Sequence, residues 1–409
     1  MNCRFCNNNL GHVFVDLVNS PLSNSYLVQE QLNEPEAYYP LKLSLCENCF
    51  LVQIDEYKKS RDIFNENYAY FSSYSTSWLD HTKRYVDTIT ERFGYNEHSS
   101  VIELASNDGY LLQFFQKKNI PALGIEPSKN VALAAQEKGL ETIVDFFGIK
   151  LAEQLVAQNR KADLIVGNNV FAHVPDINDF VAGMEMILND QGVITLEFPH
   201  LMQIIEQNQF DTIYHEHFSY FSIYTAGLIF EKHGLELFDV ESVSTHGGSL
   251  RIYGKHKEDT SKNISPNVAE LLKEEKTKGM QTLDYYRGFQ GKVDRVKADL
   301  VSFLLQQMKE GSKVAAYGAA AKGNTLLNYC GIKNDYVEYV VDASPHKQGK
   351  YLPGSHIPIV SEDMIKESKP DYILLLPWNL KDEITRQLSY VREWNAKFVL
   401  AVPKLEIIS

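Results

Sequence analysis

The stretch Val101-Ile102-Glu103-Leu104-Ala105-Ser106-Asn107-Asp108-Gly109-Tyr110-Leu111-Leu112-Gln113-Phe114-Phe115 decides the fold. Four residues of strand character run into a small polar turn. An apolar pattern then resumes at helical spacing, so the stretch predicts a strand, a tight turn and a helix start. In a doubly wound sheet, ligands sit at the carboxyl ends of the strands, where small turn residues let backbone N–H groups approach a bound group. A second strand is predicted at 122–125, ending on Glu126. That acid falls about 20 residues after the turn, where it can grip ribose hydroxyls.

An acid at that place suits an adenosine with free ribose hydroxyls, as in S-adenosylmethionine (SAM) or NAD. The turn lacks the G-x-G-x-x-G that brings a pyrophosphate close, and Glu103 at the end of the first strand suits a cationic amino-acid tail. Both points favour SAM. The candidate cofactor residues are Glu103, Ala105, Ser106, Asn107, Asp108, Gly109, Glu126 and Pro127. Further strands are predicted to end at Val144, Val166 and Glu197. They add Asp145 and Phe146 beside an adenine and Asn168 on the same rim, where His173 also falls unless it merely caps the next helix.

The 409 residues exceed one ordinary core and predict two or three domains, and 44% apolar residues are enough to bury them. A balance of 53 acids to 40 bases argues against a nucleic-acid partner. With no signal-like or membrane-spanning apolar run, a cytoplasmic protein with no membrane partner is expected, and a monomer. Four of the five cysteines form the pairs Cys3-x-x-Cys6 and Cys46-x-x-Cys49, the closed tetrahedral set that structural Zn2+ prefers. Four protein ligands leave no open position, which assigns the metal to folding.

Between Asn65 and Trp78, NENYAYFSSYSTSW is dense in aromatics and hydroxyls, including Tyr68 and Tyr70, and is placed to cover the cofactor pocket. After the fifth strand, FDTIYHEHFSYFS sets His215 and His217 around Glu216 beside Tyr214. A base, an acid and phenolic donors thus lie within a few residues. The pattern is no zincin helix, but a His-x-His pair on one strand face is a second metal candidate. The run Thr245-His246-Gly247-Gly248-Ser249-Leu250-Arg251 joins flexible backbone to a cation suited to a phosphate or sugar, with a plain turn and a surface arginine as the alternative. Residues 265–310 read as helices bridging two domains. Beyond them Tyr317 enters Gly318-Ala-Ala-Ala-Lys322-Gly323, a variant dinucleotide fingerprint, with Asp342 about 20 residues on. Lys322 could pair with phosphate and Trp378 stack on a base.

Taken together, the two cysteine pairs, Y-x-Y-F-S-S-Y-S, E-x-x-S-N-D-G, G-I-E-P, Y-H-E-H, H-G-G-S-L-R and Y-G-A-x-x-K-G-N-T-L-L-N resemble the SAM-dependent C-methyltransferases that act on nucleotide-linked 4-keto-deoxysugars. The resemblance runs from Cys3 to the last strands. It implies an α/β chain with an N-terminal zinc-binding lobe (1–62), a central Rossmann-like class I SAM methyltransferase domain (63–260), and a helical linker with a C-terminal Rossmann-like α/β domain that holds the substrate nucleotide (261–409). By the same resemblance Glu103 and Glu126 are SAM contacts. Tyr214, Glu216, His217, His173 and Tyr68 form the active-site set, and Tyr70, Arg251, Tyr317, Lys322, Asp342 and Trp378 are substrate candidates. Ala105 stands where the family usually has glycine.

The expected reaction removes a proton beside the 4-ketone, by default at carbon 3, and methylates the enolate of a TDP-, CDP- or GDP-linked sugar. His217 is the expected base, with Glu216 orienting it or adjusting its basicity and Tyr214 donating to the enolate oxygen. His173 is the substitute base, and Tyr214 and His217 could exchange roles. The alternative is an NAD-dependent nucleotide-sugar dehydrogenase or epimerase built on the second fingerprint.

Overall fold

The apolar and polar residues of YPLKLSL alternate strictly, so β2 (Tyr39–Leu45) buries Leu41, Leu43 and Leu45 on one face. It pairs antiparallel with a bulged β1 (His12–Ser20) and with β3 (Val52–Ile54). The structure is a computed structural model that describes residues 1–66, 68 and 70–409. Asn67 and Ala69 of the aromatic stretch lie outside the described residues.

The central sheet begins with β4 (Val101–Leu104), β5 (Ala122–Ile125), β6 (Glu141–Ile143), β7 (Ala162–Asn168) and β8 (Leu188–Pro199), all parallel to their neighbours among these five. β8 is longer than its sequence suggests, starting before Gly192. The chain then leaves this sheet. β9 (Ser219–Tyr220) pairs antiparallel with β3, so the segment holding the histidines completes the N-terminal sheet in the order β1-β2-β3-β9. β10 (Leu235–Val243) and β11 (Ser249–His256) return as antiparallel strands, giving the order β10-β11-β8-β7-β4-β5-β6.

A third sheet holds β12 (Val314–Tyr317), β13 (Val340–Val341), β14 (Ile359–Val360), β15 (Tyr372–Leu375), β16 (Lys397–Leu400) and the antiparallel edge β17 (Glu406–Ile408), in the order β14-β13-β12-β15-β16-β17. Strand order reverses between β4 and β7 in the central sheet and between β12 and β15 in this one. Those two crevices are where open α/β sheets take ligands.

The bridging helices are more than spacers. In the helix Phe289–Glu310, the residues Phe289, Val293, Val296, Leu300 and Leu304 bury one stripe, and the Phe289 ring stacks on Phe14 of β1 at 4.8 Å. From the helix Pro266–Lys278, the fully buried Glu275 accepts the Ile223 and Tyr224 N–H groups and a proton from His200 Nε2 at 2.7 Å. Its charge therefore caps the helix that follows β9. Among the described residues no helix is long and apolar enough to cross a membrane.

Cys3, Cys6, Cys46 and Cys49 converge, with their four sulfurs within 4.8 Å of one another. The Cys3–Cys49 and Cys6–Cys46 pairs stand at 3.6 and 3.5 Å. Thiolates about 2.3 Å from a zinc ion stand roughly 3.8 Å apart in a tetrahedron, so the donor set fits zinc. The site is welded to the central domain. Thr225 Oγ1 donates to the Cys49 carbonyl, Lys232 Nζ to the Phe5 carbonyl, and the Arg4 guanidinium to the Pro175 and Ile54 carbonyls. Cys46→Ser should lower bound zinc, measured by elemental analysis, well below about one ion per chain. It should also bring thermal unfolding forward by several degrees, since such sites supply about 10–16 kcal/mol of binding energy. Unchanged zinc content would reject the four-thiolate assignment.

Candidate active site

The turn after β4 uses three left-handed residues in alternation, Ala105 at φ 56°, Asn107 at 50° and Gly109 at 76°. Glu126, at the end of β5, holds this shape. Its two carboxylate oxygens accept the Asn107 N–H at 3.0 Å and the Ser128 N–H at 2.7 Å. Around the turn, buried polar atoms stand without a protein hydrogen-bond partner: both oxygens of Glu103, Ser106 Oγ, Asp108 Oδ1 and both amide atoms of Asn168. Native interiors rarely leave such atoms unpaired, so this rim is built for a polar ligand. Burial pushes the Glu103 carboxyl well above its usual range, the nearby Tyr110 hydroxyl offsetting this only in part. A cationic ligand group would restore the carboxylate. The donor set therefore fits SAM, with Glu103 facing the cation. Pro127 is half-buried beside Glu126. Asp145 is exposed and caps the Phe146 N–H, and the Phe146 ring lies 5.9 Å from the Arg61 guanidinium.

The aromatic stretch lies across this turn as a strap. Ser72 N–H donates to Asn107 Oδ1 at 2.8 Å, Asn107 Nδ2 to the Tyr70 carbonyl, Asn130 Nδ2 to the Tyr68 carbonyl, and Lys138 Nζ to Ser73 Oγ. Its far end reaches the C-terminal domain, where Phe71 stacks on His346 at 5.0 Å and the Tyr74 hydroxyl meets His346 Nε2 at 3.0 Å.

Beside the rim, the segment 210–222 gathers the candidate chemistry. His217 Nδ1–H donates to the Thr212 carbonyl at 2.9 Å, which leaves the lone pair on Nε2, and that lone pair accepts the Tyr214 hydroxyl at 2.7 Å. The His173 ring lies 4.7 Å from that of His217. Glu216 points elsewhere. It accepts Asn24 Nδ2 at 2.7 Å and the Tyr68 hydroxyl at 3.4 Å, so the group that orients His217 is Thr212 rather than the neighbouring carboxylate. His215 and His217 share no strand face either. His215 sits in a turn and donates from Nε2 to the Pro40 carbonyl, and the only four-ligand metal cluster among the described residues is the cysteine set.

Burial sets the charges. It holds His217 well below 6.5, with His173 adding to the effect, and brings His173 down to about 4. It pushes Tyr214 and Tyr68 well above 10, with Glu216 second, and Glu216 itself up to about 7. The cluster is thus two neutral imidazoles, two intact phenols and one acid that titrates near neutrality.

The C-terminal domain closes the other side. Gly318 follows β12 at φ 91°, and a Cβ there would meet the Pro377 ring at 2.5 Å, which draws the two crossover loops together. Trp378 Nε1–H donates to Asp211 Oδ2 at 2.7 Å, Lys322 Nζ lies 4.8 Å over the Trp378 ring and donates to Asn379, and Thr325 Oγ1 donates to the Ile213 carbonyl. Burial lowers Lys322 to about 8 and raises Asp211 to about 6. Lys322 and Trp378 thereby join the catalytic segment. Three other substrate candidates are otherwise engaged. Asp342 accepts the Ala319 and Ser344 N–H groups and pairs with Lys347. The Tyr317 hydroxyl takes Gln387. Arg251 spends its fork on Glu197 and Glu241 at 2.6 Å each. Tyr70 is half-exposed in the strap. Asn24 carries no motif that sequence reading could have used, and Asp211 and Thr212 lie in the FDTIYHEHFSYFS stretch with nothing in it to mark them.

Three family models match the chain in turn: a zinc binding domain at residues 3–64, a methyltransferase domain at 78–240, and a C-methyltransferase C-terminal domain at 244–403. The C-methyltransferase NovU of Streptomyces niveus is 34% identical over 407 residues, spanning 100% of this chain and 96% of that one. The chain belongs to the C-methyltransferase family. Solved structures align with lower similarity. PH0226 protein of Pyrococcus horikoshii OT3 shows 14% identity and a TM-score of 0.38 over 49% of this chain and 100% of its own. A SAM-dependent methyltransferase of Anabaena variabilis shows 17% and 0.35 over 43% and 85%.

For this C-methyltransferase, Glu216 ionises near 7 while His217 is already neutral, so kcat/KM should climb with one ionisation near pH 7. Glu216→Gln should flatten that limb. If the limb persists near 7 in the glutamine variant, it belongs to another group.

Proposed function

We propose that the chain transfers a methyl group from SAM to carbon 3 of a nucleotide-linked 4-keto-6-deoxyhexose through an enolate, with its three units divided at about residues 62 and 260. The observation that carries this reading is the His217 tautomer. An imidazole lone pair locked onto Nε2 by the Thr212 carbonyl, next to the cofactor rim and bonded to the Tyr214 phenol but to no serine, threonine or cysteine side chain among the described residues, is a base without an aliphatic hydroxyl or thiol nucleophile to activate. Carbon-bound hydrogen beside a ketone is the proton such a base can take.

SAM, when bound, would supply an electrophilic methyl group, and the unpartnered atoms of Glu103, Ser106, Asp108 and Asn168 would hold it. His217 Nε2 removes the proton, a contribution of about 10²–10⁴. Tyr214, kept protonated by burial, donates rather than accepts and shields the base until the acceptor displaces it. Glu216 ties Tyr68 of the strap to Asn24 of the zinc lobe, and so fixes the walls of the pocket. Lys322 and Trp378, at the crossover of the third sheet, are placed for a phosphate and a base of the nucleotide. A dinucleotide reading of that sheet meets an acid already filled by two N–H groups and a lysine.

Incubation with SAM and a panel of TDP-, CDP- and GDP-4-keto-6-deoxyhexoses, followed by mass spectrometry, should show a gain of one methyl mass on one member. No gain on any, with SAM still bound in a titration, would move the acceptor to another class. His217→Asn should keep SAM binding and lose solvent-deuterium exchange at the reacting carbon. Unimpaired exchange would remove His217 from the base role.

A further inference from the structure

The H-G-G-S run singled out in the sequence has no part in the reaction as described so far. Its backbone is costly. His246 at φ 53° is followed by Gly247 at 90° and Gly248 at 117°, and in the left-handed region a non-glycine Cβ crowds its own backbone. The glycines answer to close approach, since a Cβ on Gly247 would stand 2.3 Å from the Trp378 ring and one on Gly248 2.9 Å from Gln203. His246 has no such excuse, and strain of this kind persists where the surroundings over-determine it, most often at functional sites.

The surroundings do over-determine it. Thr245 Oγ1 donates to Glu197 Oε1 at 2.7 Å, Gln209 Nε2 to the Gly247 carbonyl at 2.7 Å, and His200 N–H to the Gly248 carbonyl at 3.1 Å. The His246 ring packs 5.4 Å from Trp78, which also stacks on Tyr110, the residue after the cofactor turn. Asn169 sits next to Asn168 at the end of β7, also left-handed at φ 54°, and its Nδ2 lies 3.0 Å from His246 Nε2. An amide NH₂ only donates, so Nε2 must accept and the His246 proton resides on Nδ1. That Nδ1–H has no hydrogen-bond partner among the described residues.

His246 thus stands between the cofactor rim, through Trp78 and Asn169, and the C-terminal domain, through Gly247 and Trp378. Burial lowers it to about 4, and the charge of Lys322 acts on it as it does on His217. It is a neutral imidazole presenting one N–H in the cleft. Tyr68 has its hydroxyl on Glu216, and Tyr214 leaves the base only when the acceptor displaces it, so neither stands ready as a donor before the acceptor arrives.

We propose that His246 is a catalytic hydrogen-bond donor, its Nδ1–H bonding the ketone oxygen that becomes the enolate, with Asn169 as the positioning residue that fixes the donating tautomer. The inference rests on the enolate reading above. In the step, the carbon–hydrogen bond breaks and its proton goes to His217 Nε2. The electron pair forms the carbon–carbon double bond, and the carbonyl pair moves onto oxygen, where His246 Nδ1–H meets it. A neutral imidazole suits this task because its N–H stabilises the oxyanion without protonating it, as a neutral histidine does in triosephosphate isomerase.

Two substitutions tolerate the left-handed backbone and separate donor from scaffold. His246→Asn keeps an N–H near the place of Nδ1, and His246→Gly removes it. Asn169→Asp leaves His246 in place but presents only acceptors, which draws the proton to Nε2 and turns the Nδ1 lone pair toward the oxygen. The readout is solvent-deuterium exchange at the reacting carbon of the panel 4-keto-6-deoxyhexose on which the wild type exchanges, beside kcat and SAM affinity by calorimetry. His246→Gly and Asn169→Asp should slow exchange and kcat together by about 10²–10³, the loss typical of one oxyanion donor, with SAM affinity within a few-fold of wild type. His246→Asn should recover most of the rate. Exchange unchanged in His246→Gly, or equally slow in all three variants, would overturn the donor role while leaving the enolate reading intact. A wild type that methylates without exchanging would overturn the enolate reading itself.

Discussion

A two-residue ladder, Val52 with Tyr220 and Gln53 with Ser219, holds the catalytic segment in place. Without it the stretch from Phe210 to Ser222 would be a loop on one domain. With it, the segment becomes the fourth strand of the zinc lobe while its ends stay in the central domain, where Phe218 N–H donates to the Ala172 carbonyl and Phe221 stacks on Phe171 at 4.2 Å. Thr325 and Trp378 fasten the same segment from the third sheet. Each domain thus supplies hydrogen bonds to a stretch that belongs to none of them alone. The cysteine turn between β2 and β3 fixes the strand against which β9 pairs.

The same enclosure sets the electrostatics. Desolvation disfavours every charge in the cluster, so histidines become neutral, phenols stay protonated and Glu216 rises to about 7. Burial thus leaves imidazoles free at neutral pH and phenols that remain donors, and no carboxylate among the described residues bonds to His217. Lys322 lies over the Trp378 ring, and the charge of Asp211, which accepts the Trp378 N–H, partly offsets the burial that lowers Lys322 to about 8.

The sequence showed the order of the sheets because each strand, turn and helix start there is local. The cysteine quartet, the turn after β4 and the Tyr-His-Glu-His cluster were visible for the same reason. What it concealed is contact between distant segments. Nothing in a two-residue strand after Phe218 marks it as the partner of Val52, and Asn24, Thr212 and Asp211 are ordinary residues until folding brings them to Glu216, His217 and Trp378. The role expected of Glu216 failed on geometry. Residues adjacent in a turn face different sides, and the carboxylate beside His217 in sequence looks toward Asn24 and Tyr68 instead.

The acid about 20 residues after each turn also has a structural use that the spacing alone does not reveal. Glu126 accepts an N–H from the turn after β4 and another two residues beyond itself. Asp342 does the same with Ala319 after β12 and with Ser344. In both sheets the acid closes the crevice loop, a structural use that needs no cofactor. What distinguishes the sheets is the polar groups left over. The central rim retains both oxygens of Glu103, Ser106 Oγ, Asp108 Oδ1 and the Asn168 amide buried without a protein partner, Lys138 taking only Asp108 Oδ2, whereas both oxygens of Asp342 are taken by N–H groups and Lys347. One architecture therefore ends in two ways: the first crevice keeps unsatisfied buried groups, and the second satisfies its own acid and holds Lys322 over the Trp378 ring.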